Sequence, residues 1–450
     1  MEKGKTVGNQ KIAALFDAGT FVEIGAFMKR ADGAMTGVVC GYGAIGGKLV
    51  YAFSQDSDRT KGAFDALQAE KIAKVYELAV KNGAPVIGMF DSAGAMVEDG
   101  AMALSAYGKF LKVVSDASGV VPQIAIVTGI CSGMSATVAS MFDAVVAIKE
   151  KSKLFVNAPF LIGKEVGDAD YTTQSGLSSV IAEDEADAIA KAQKLIALLP
   201  ANNEEGVLCN ENADDENRTV AVDGLVGKDL VNVLVDAASF VELGAGYADD
   251  MITGLASFGG VTCGIVANNG GAITGNGAKK AAKMISFCDG LSIPVVTLTD
   301  SIGVEMSREA EDSALAAQLG KLAMAYASAS TAKVTVVAGK AYGAAFTLMG
   351  SKALGADMVY ALPEAEISVM APASAVAFLW NDKITEEVTR ADLEKEWVKK
   401  YACAEAVAAD GCIDDVIAPA ELRQRICAAI YMLMMKNGTS PVRKHCNLPL

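Results

Sequence analysis

The chain contains itself twice. LFDAGTFVEIGAF (15–27) matches LVDAASFVELGAG (234–246), and APVIGMFDSAGAMVEDG (84–100) matches IPVVTLTDSIGVEMSRE (293–309). VTGICSGMSATVASMFDAVVA (127–147) matches VAGKAYGAAFTLMGSKALGADMVYA (337–361), and NAPFLI (157–162) falls opposite MAPASA (370–375). Four matches in one order, about 210 residues apart, exceed the 20–50-residue period of a solenoid and indicate a duplicated domain. Two globular domains suit a chain of 450 residues. The boundary is expected in LLPANNEEGVLCNENADDENRTVAVDG (198–224), which is acidic, Asn-rich and without hydrophobic period. Domains over 1–200 and 225–450, joined by an exposed linker over 201–224, are the expectation.

Each half follows one order. Hairpin-like strands punctuated by Gly–Gly come first, over 36–56 and 253–269. A helix follows, over 66–82 and 277–289, then an apolar strand ending in Asp91 or Asp300. A second helix, over 102–115 and 313–328, leads into another apolar strand, IAIV (124–127) or KVTVV (333–337). Further helices are expected over 182–199, 390–410 and 419–436. Strands alternating with helices predict an α/β fold.

The last of these strands in each half runs into small residues: Cys131-Ser132-Gly133-Met134 and Tyr342-Gly343-Ala344-Ala345. Strand, tight turn and helix is the pattern. Small residues there let a ligand approach the backbone, and the first N–H groups of a helix have no intrahelical partner. Such groups can hold negative charge developing on a substrate oxygen. A tightly packed strand–helix corner is the plain alternative. Asp91 and Asp300 stand where open α/β sheets place ligands, and either could instead cap the next helix.

Composition removes several chemistries. The only histidine is His445, near the end, so His-activated nucleophiles and multi-His metal sites are not expected. The nine cysteines form no CxxC, which rules against a zinc ribbon and suits free thiols. A net charge of −15 argues against nucleic acid as a partner. No apolar run is long enough for a membrane span, so a soluble, cytoplasmic protein is expected.

These residues resemble the biotin-dependent acyl-CoA carboxyltransferases: propionyl-CoA carboxylase β subunits and the α subunits of methylmalonyl-CoA and glutaconyl-CoA decarboxylases. The resemblance spans nearly the whole chain. It includes SQD (54–56), EKIAKVYELAVKNGAPVIGMFDSAGA (70–95), VPQIAIVTGICSG (121–133), SGLSSVIAEDEADAI (175–189), KVTVVAGKAYGAA (333–345), AEISVMAP (365–372) and KHCNLPL (444–450). It implies two tandem crotonase-like domains, the first binding acyl-CoA and the second biotin. It implies one oxyanion hole at the N–H groups of Gly133 and Met134 for the thioester, and another at Ala344 and Ala345 for biotin. Gly94, Ala95 and Ser132 would contact the first substrate, and Tyr342, Gly343 and Thr347 the second. The CoA phosphates need cations, and Arg59, Lys61 and Lys71 are candidates. No metal is implied.

The chain departs from the family where Gly-Gly reads Gly133-Met134, where Gly-Ala reads Ala344-Ala345, and where Arg reads Met96. Thr347 stands at the usual Asp. No AMKM-like biotin-attachment sequence is present. Biotin would therefore arrive on a carrier protein, with a biotin carboxylase subunit or a membrane decarboxylase subunit as further partner. The resemblance also implies a trimer of dimers. A crotonase-type hydratase or isomerase, a Ser–Lys hydrolase using Ser132 or Ser135, and a non-catalytic scaffold are the rival readings. Carboxylation and decarboxylation share the half-reaction, so the direction stays open.

Overall fold

The repeated aspartates build the first shared element. In the computed structural model, which describes residues 7–30, 33–59, 62–210, 214–436 and 447–449, Asp17 accepts from the N–H groups of Gly46 and Gly47, each at 3.1 Å. Asp236 accepts from Gly259 and Gly260 at 2.9 and 2.8 Å. Both Gly–Gly pairs have positive φ at each residue, the requirement of a two-residue hairpin turn that matches strand twist. They join β2 (Val38–Ile45) to β3 (Lys48–Gln55), and β10 (Met251–Phe258) to β11 (Val261–Asn268).

The chain divides into two compact units, Met1–Gly206 and Val207–Leu450. The first unit adds β1 (Val22–Ile24), β4 (Val86–Ser92), β5 (Gln123–Ser132), β6 (Ala144–Ile148), β7 (Lys153–Phe155) and β8 (Val180–Ala182). Its sheet runs β1-β2-β3-β4-β5-β6-β8, antiparallel over β1–β3 and parallel from there on, with β7 beside the end of β5. The second unit adds β9 (Val241–Glu242), β12 (Val295–Ser301), β13 (Lys333–Tyr342), β14 (Met358–Ala361), β15 (Glu366–Ser368) and β16 (Asp415–Val416). Its order, β9-β10-β11-β12-β13-β14-β16 with β15 beside β13, repeats the first. Two α/β units of one topology are what the repeat predicts.

The helices form for local reasons and bury one face each. The helix Ala66–Asn82 starts at Asp65, whose side chain accepts from Gln68 N–H, and stops at Gly83 in the left-handed conformation. Ala69, Ile72, Val75, Tyr76 and Ala79 fall on its buried stripe. Its counterpart, Gly275–Gly290, starts at Thr274, whose side chain accepts from Gly277 N–H. Burial of each such large apolar side chain contributes roughly 1.5–3 kcal/mol. The expected helix over 390–410 is broken into Arg390–Trp397, a π-helical turn Val398–Ala402 and Ala404–Ala409.

The boundary falls inside the expected linker over 201–224, at 206/207, and the described part of that stretch is fastened on both sides of it. Asn202 donates to Gly83 O at 2.8 Å, which ties the start of the stretch to the first unit. Cys209 pairs with Val261, and Val220 and Val222 are buried in the second unit's core. Backbone pairing and apolar burial outweigh the polar composition that suggested a free segment.

Candidate active site

The repeated aspartates at the strand ends shape the backbone. Asp91 Oδ1 accepts from Ile130 N–H at 3.2 Å, and Asp300 Oδ1 accepts from Lys340 N–H at 2.9 Å. Strand register shifts beside each aspartate, between Phe90 and Ser92 and between Thr299 and Ser301. A Cβ on Gly129 would collide with the Asp91 carboxylate, and one on Gly339 with Asp300. Neither aspartate caps a helix; each holds the bent end of the neighbouring strand. Asp91 also faces Lys11 Nζ at 3.4 Å.

The bent strands lead into two turns of one geometry. Gly133 has φ 59° and ψ −126°, and Gly343 has φ 56° and ψ −130°. Gly133 N–H donates to Phe155 O at 2.9 Å, and Gly343 N–H donates to Ser368 O at 2.8 Å. Helices open at the next residue, Met134–Ser140 and Ala344–Leu348. The expectation for Gly133 is thereby corrected: its N–H is occupied by β7, and Gly133 corresponds to Gly343 rather than to Ala344. Met134 and Ala344 are exposed, and their N–H groups make no bond among the described residues. Ala345 is fully covered within the chain, so its N–H is not presented to a ligand as expected.

A loop beside each turn offers a second donor. Ser92 pairs with Cys131, and Ser92 Oγ donates to Gly62 O at 2.7 Å and accepts from Gly94 N–H at 3.2 Å. Ala95 bridges Phe64 through the flanking Gly94 O and Met96 N–H, so its own N–H is left unbonded among the described residues. In the second unit Ser301 Oγ donates to Gly271 O at 2.8 Å and accepts from Gly303 N–H at 3.3 Å. Val304 bridges Ile273 in the same way, with its N–H unbonded among the described residues. Val304 was missed by the sequence reading, although DSAGA and DSIGV align it with Ala95.

The remaining expected residues are distributed around these turns. Ser132 Oγ lies 3.3 Å from where a Cβ on Gly94 would stand, so the loop and the strand end are in close contact. Tyr342 Oη donates to the Glu366 carboxylate, and burial first, then Glu366, pushes its pKa up. Thr347 is exposed on the short helix after the turn. The first unit also holds a cavity of about 900 Å³, lined by Arg30, Gly37, Arg59, Ala63, Ala95 and Glu98 among others. Arg59 there donates to Thr36 O at 2.9 Å and faces Asp56 at 3.4 Å. Lys61 and His445 lie outside the described residues. Lys71 does not join the cluster expected of it: it is buried, with Nζ on Val38 O at 3.0 Å and near Glu23 at 3.5 Å.

Comparison with known proteins decides between the rival readings. The carboxyl transferase domain family matches residues 1–448. The chain belongs to that family. It is 34% identical to the methylmalonyl-CoA decarboxylase subunit alpha of Veillonella parvula, covering 100% of this chain and 94% of that one. It is 32% identical to the propionyl-CoA carboxylase beta chain of Roseobacter denitrificans, at the same coverage. Among solved structures, transcarboxylase 12S, a hexamer with methylmalonyl-CoA bound, aligns with a TM-score of 0.94 at 34% identity, over 100% of this chain and 94% of that one. The chain is a carboxyltransferase of the propionyl-CoA carboxylase and methylmalonyl-CoA decarboxylase type, built on duplicated crotonase-like units. The hydratase, hydrolase and scaffold readings fall.

Proposed function

We propose that this carboxyltransferase moves a carboxyl group between biotin, held on a separate carrier protein, and the α-carbon of a short acyl-CoA of the propionyl or methylmalonyl class. The duplicated turn carries the reading. Two units present the same arrangement of unclaimed N–H groups, and the transfer develops charge on two oxygens. The N–H groups of Met134 and Ala95 serve the thioester oxygen as the α-carbon becomes enolate-like. Those of Ala344 and Val304 serve the ureido oxygen. Each donor of this kind is typically worth about 10²–10³ in rate.

The first unit is then the acyl-CoA side, with its cavity taking the coenzyme and Arg30 and Arg59 facing its phosphates. Lys61 stays part of this assignment by sequence. The second unit is the biotin side. Its residues fit that group: Gly343, Ala344 and Ala345 place nothing larger than a methyl group on the turn, so a planar ureido edge has room to reach the Ala344 N–H. Biotin, when bound, supplies the nitrogen that carries the carboxyl group. Tyr342, tied to Glu366, fixes the strand end that positions this turn.

The relatives named as decarboxylase subunits and carboxylase chains support a biotin carrier as partner, with a biotin carboxylase or a membrane decarboxylase subunit beside it. A trimer of dimers in the cytoplasm is part of the same proposal; no helix among the described residues is long and apolar enough to cross a membrane. The test is direct. Purified protein should consume methylmalonyl-CoA only when biotin or a biotinylated carrier is added. Equal turnover without biotin would sink the reading.

A further inference from the structure

The first unit contains a group of hydroxyls that the described residues of the second do not repeat. Tyr107, on the helix Ala101–Ala117, is buried, and its Oη lies 2.7 Å from Ser135 Oγ. Ser92 is its other hydroxyl neighbour, and its ring packs on Phe64, the residue paired with Ala95, at 4.6 Å between centroids. Burial pushes the Tyr107 pKa up to about 12, so the phenol keeps its proton at neutral pH.

Both ends of this group meet the first turn. Ser135 directly follows Met134 in the helix opening. Ser92 accepts from Gly94 N–H, and Gly94 directly precedes Ala95. In the second unit Ala345 stands where Ser135 does. Ser301 repeats the bonds of Ser92 to the backbone but meets no tyrosine hydroxyl among the described residues. The buried tyrosine there, Tyr326, pairs instead with Thr297 in the body of β12, at 2.8 Å.

We propose that Tyr107 is a positioning residue for the acyl-thioester half of the transfer: its hydroxyl locks the Ser92–Ala95 loop to the Met134–Ser140 helix, so that the Ala95 and Met134 N–H groups converge on one oxygen. The proposal rests on the functional reading above. A loose donor pair holds the ground-state carbonyl about as well as a fixed one. It holds the enolate-like oxygen less well, because preorganisation counts where charge develops.

The experiment compares wild type with Tyr107→Phe, Ser135→Ala, the double variant and Tyr326→Phe. Wild type is assayed first for biotin-dependent consumption of methylmalonyl-CoA; absence of that activity overturns the functional reading and this inference with it. Given an active wild type, Tyr107→Phe should lower kcat about tenfold with KM for the acyl-CoA changed less than about twofold. Affinity for a CoA analogue bearing a nitronate, which mimics the enolate, should fall by a similar factor, while KM for biotin holds. The phenyl ring remains to pack against Phe64, whose centroid is 4.6 Å away. Ser135→Ala approaches the same bond from its other side, should match Tyr107→Phe, and the double variant should be no worse than either. Tyr326→Phe, which deletes an equally buried hydroxyl where a helix meets the body of β12, should leave kcat unchanged. Unchanged kcat and nitronate affinity in Tyr107→Phe and Ser135→Ala, or an equal loss in Tyr326→Phe, overturns the inference while the functional reading stands.

Discussion

Gly129 has no room for a side chain. A Cβ there would meet the Asp91 carboxylate, which is held by Ile130 N–H and by Lys11. Gly129→Ala is therefore an overpacking change and should destabilise the fold by about 1–3 kcal/mol. Because the displaced strand end leads straight to Met134, kcat should fall as well. Urea denaturation and steady-state kinetics check both; wild-type stability in Gly129→Ala would contradict the assigned role of Asp91. The sequence makes Gly129 and Gly339 correspond, but not why both are glycine, since each carboxylate arrives from a different strand. The same limit applies to Gly133. Its position in a strand–turn–helix pattern was legible. That its N–H is occupied depends on Phe155, brought alongside by β7. A donor assignment made from local pattern therefore falls one residue out, whereas Met134 and Ala344, the first residues of their helices, are free for a reason that is local.

At the scale of elements, the C-terminal helix Leu422–Leu433 is fastened by a buried cation. Arg423 is fully buried, with Nη2 on Asp236 Oδ1 at 2.5 Å and Nε on Asp215 O at 3.2 Å. Asp236 is the same residue that turns the β10–β11 hairpin, so one carboxylate ties helix, hairpin and the segment after residue 207 together. Its counterpart Asp17 turns the first hairpin in the same way. Removing one partner of a buried pair costs roughly 3–5 kcal/mol, and the two backbone donors left on Asp236 put Arg423→Ala towards the lower value. Both tryptophans of the chain, Trp380 and Trp397, lie in the second unit, so tryptophan fluorescence during urea unfolding reads this loss where it occurs. An unchanged midpoint would remove the fastening role. The alternation of strands and helices was legible because hydrophobic period and caps are local signals. The packing of Cys209 and Asp215 was not, because their partners Val261 and Arg423 lie far along the chain.

At the scale of the whole molecule, the proposed chemistry asks two holes to face one reacting pair. Each hole opens at the same place on its own copy of the fold, so a two-fold pairing of chains is the simple way to oppose unlike holes. It sets the first hole of each chain against the second hole of its partner and makes two equal sites. Proline is tolerated at a first helical position while removing its N–H. Met134→Pro should therefore disable the thioester hole, and Ala344→Pro the biotin hole, each leaving the fold intact by circular dichroism and each costing about 10²–10³ in kcat. Now the two inactive variants are dissociated, mixed in equal amounts and reassembled. A mixed dimer carries both lesions in one site and none in the other. Random pairing makes half the dimers mixed, so roughly a quarter of wild-type activity should return. Sites contained within single chains would return none, because every chain in the mixture carries a lesion.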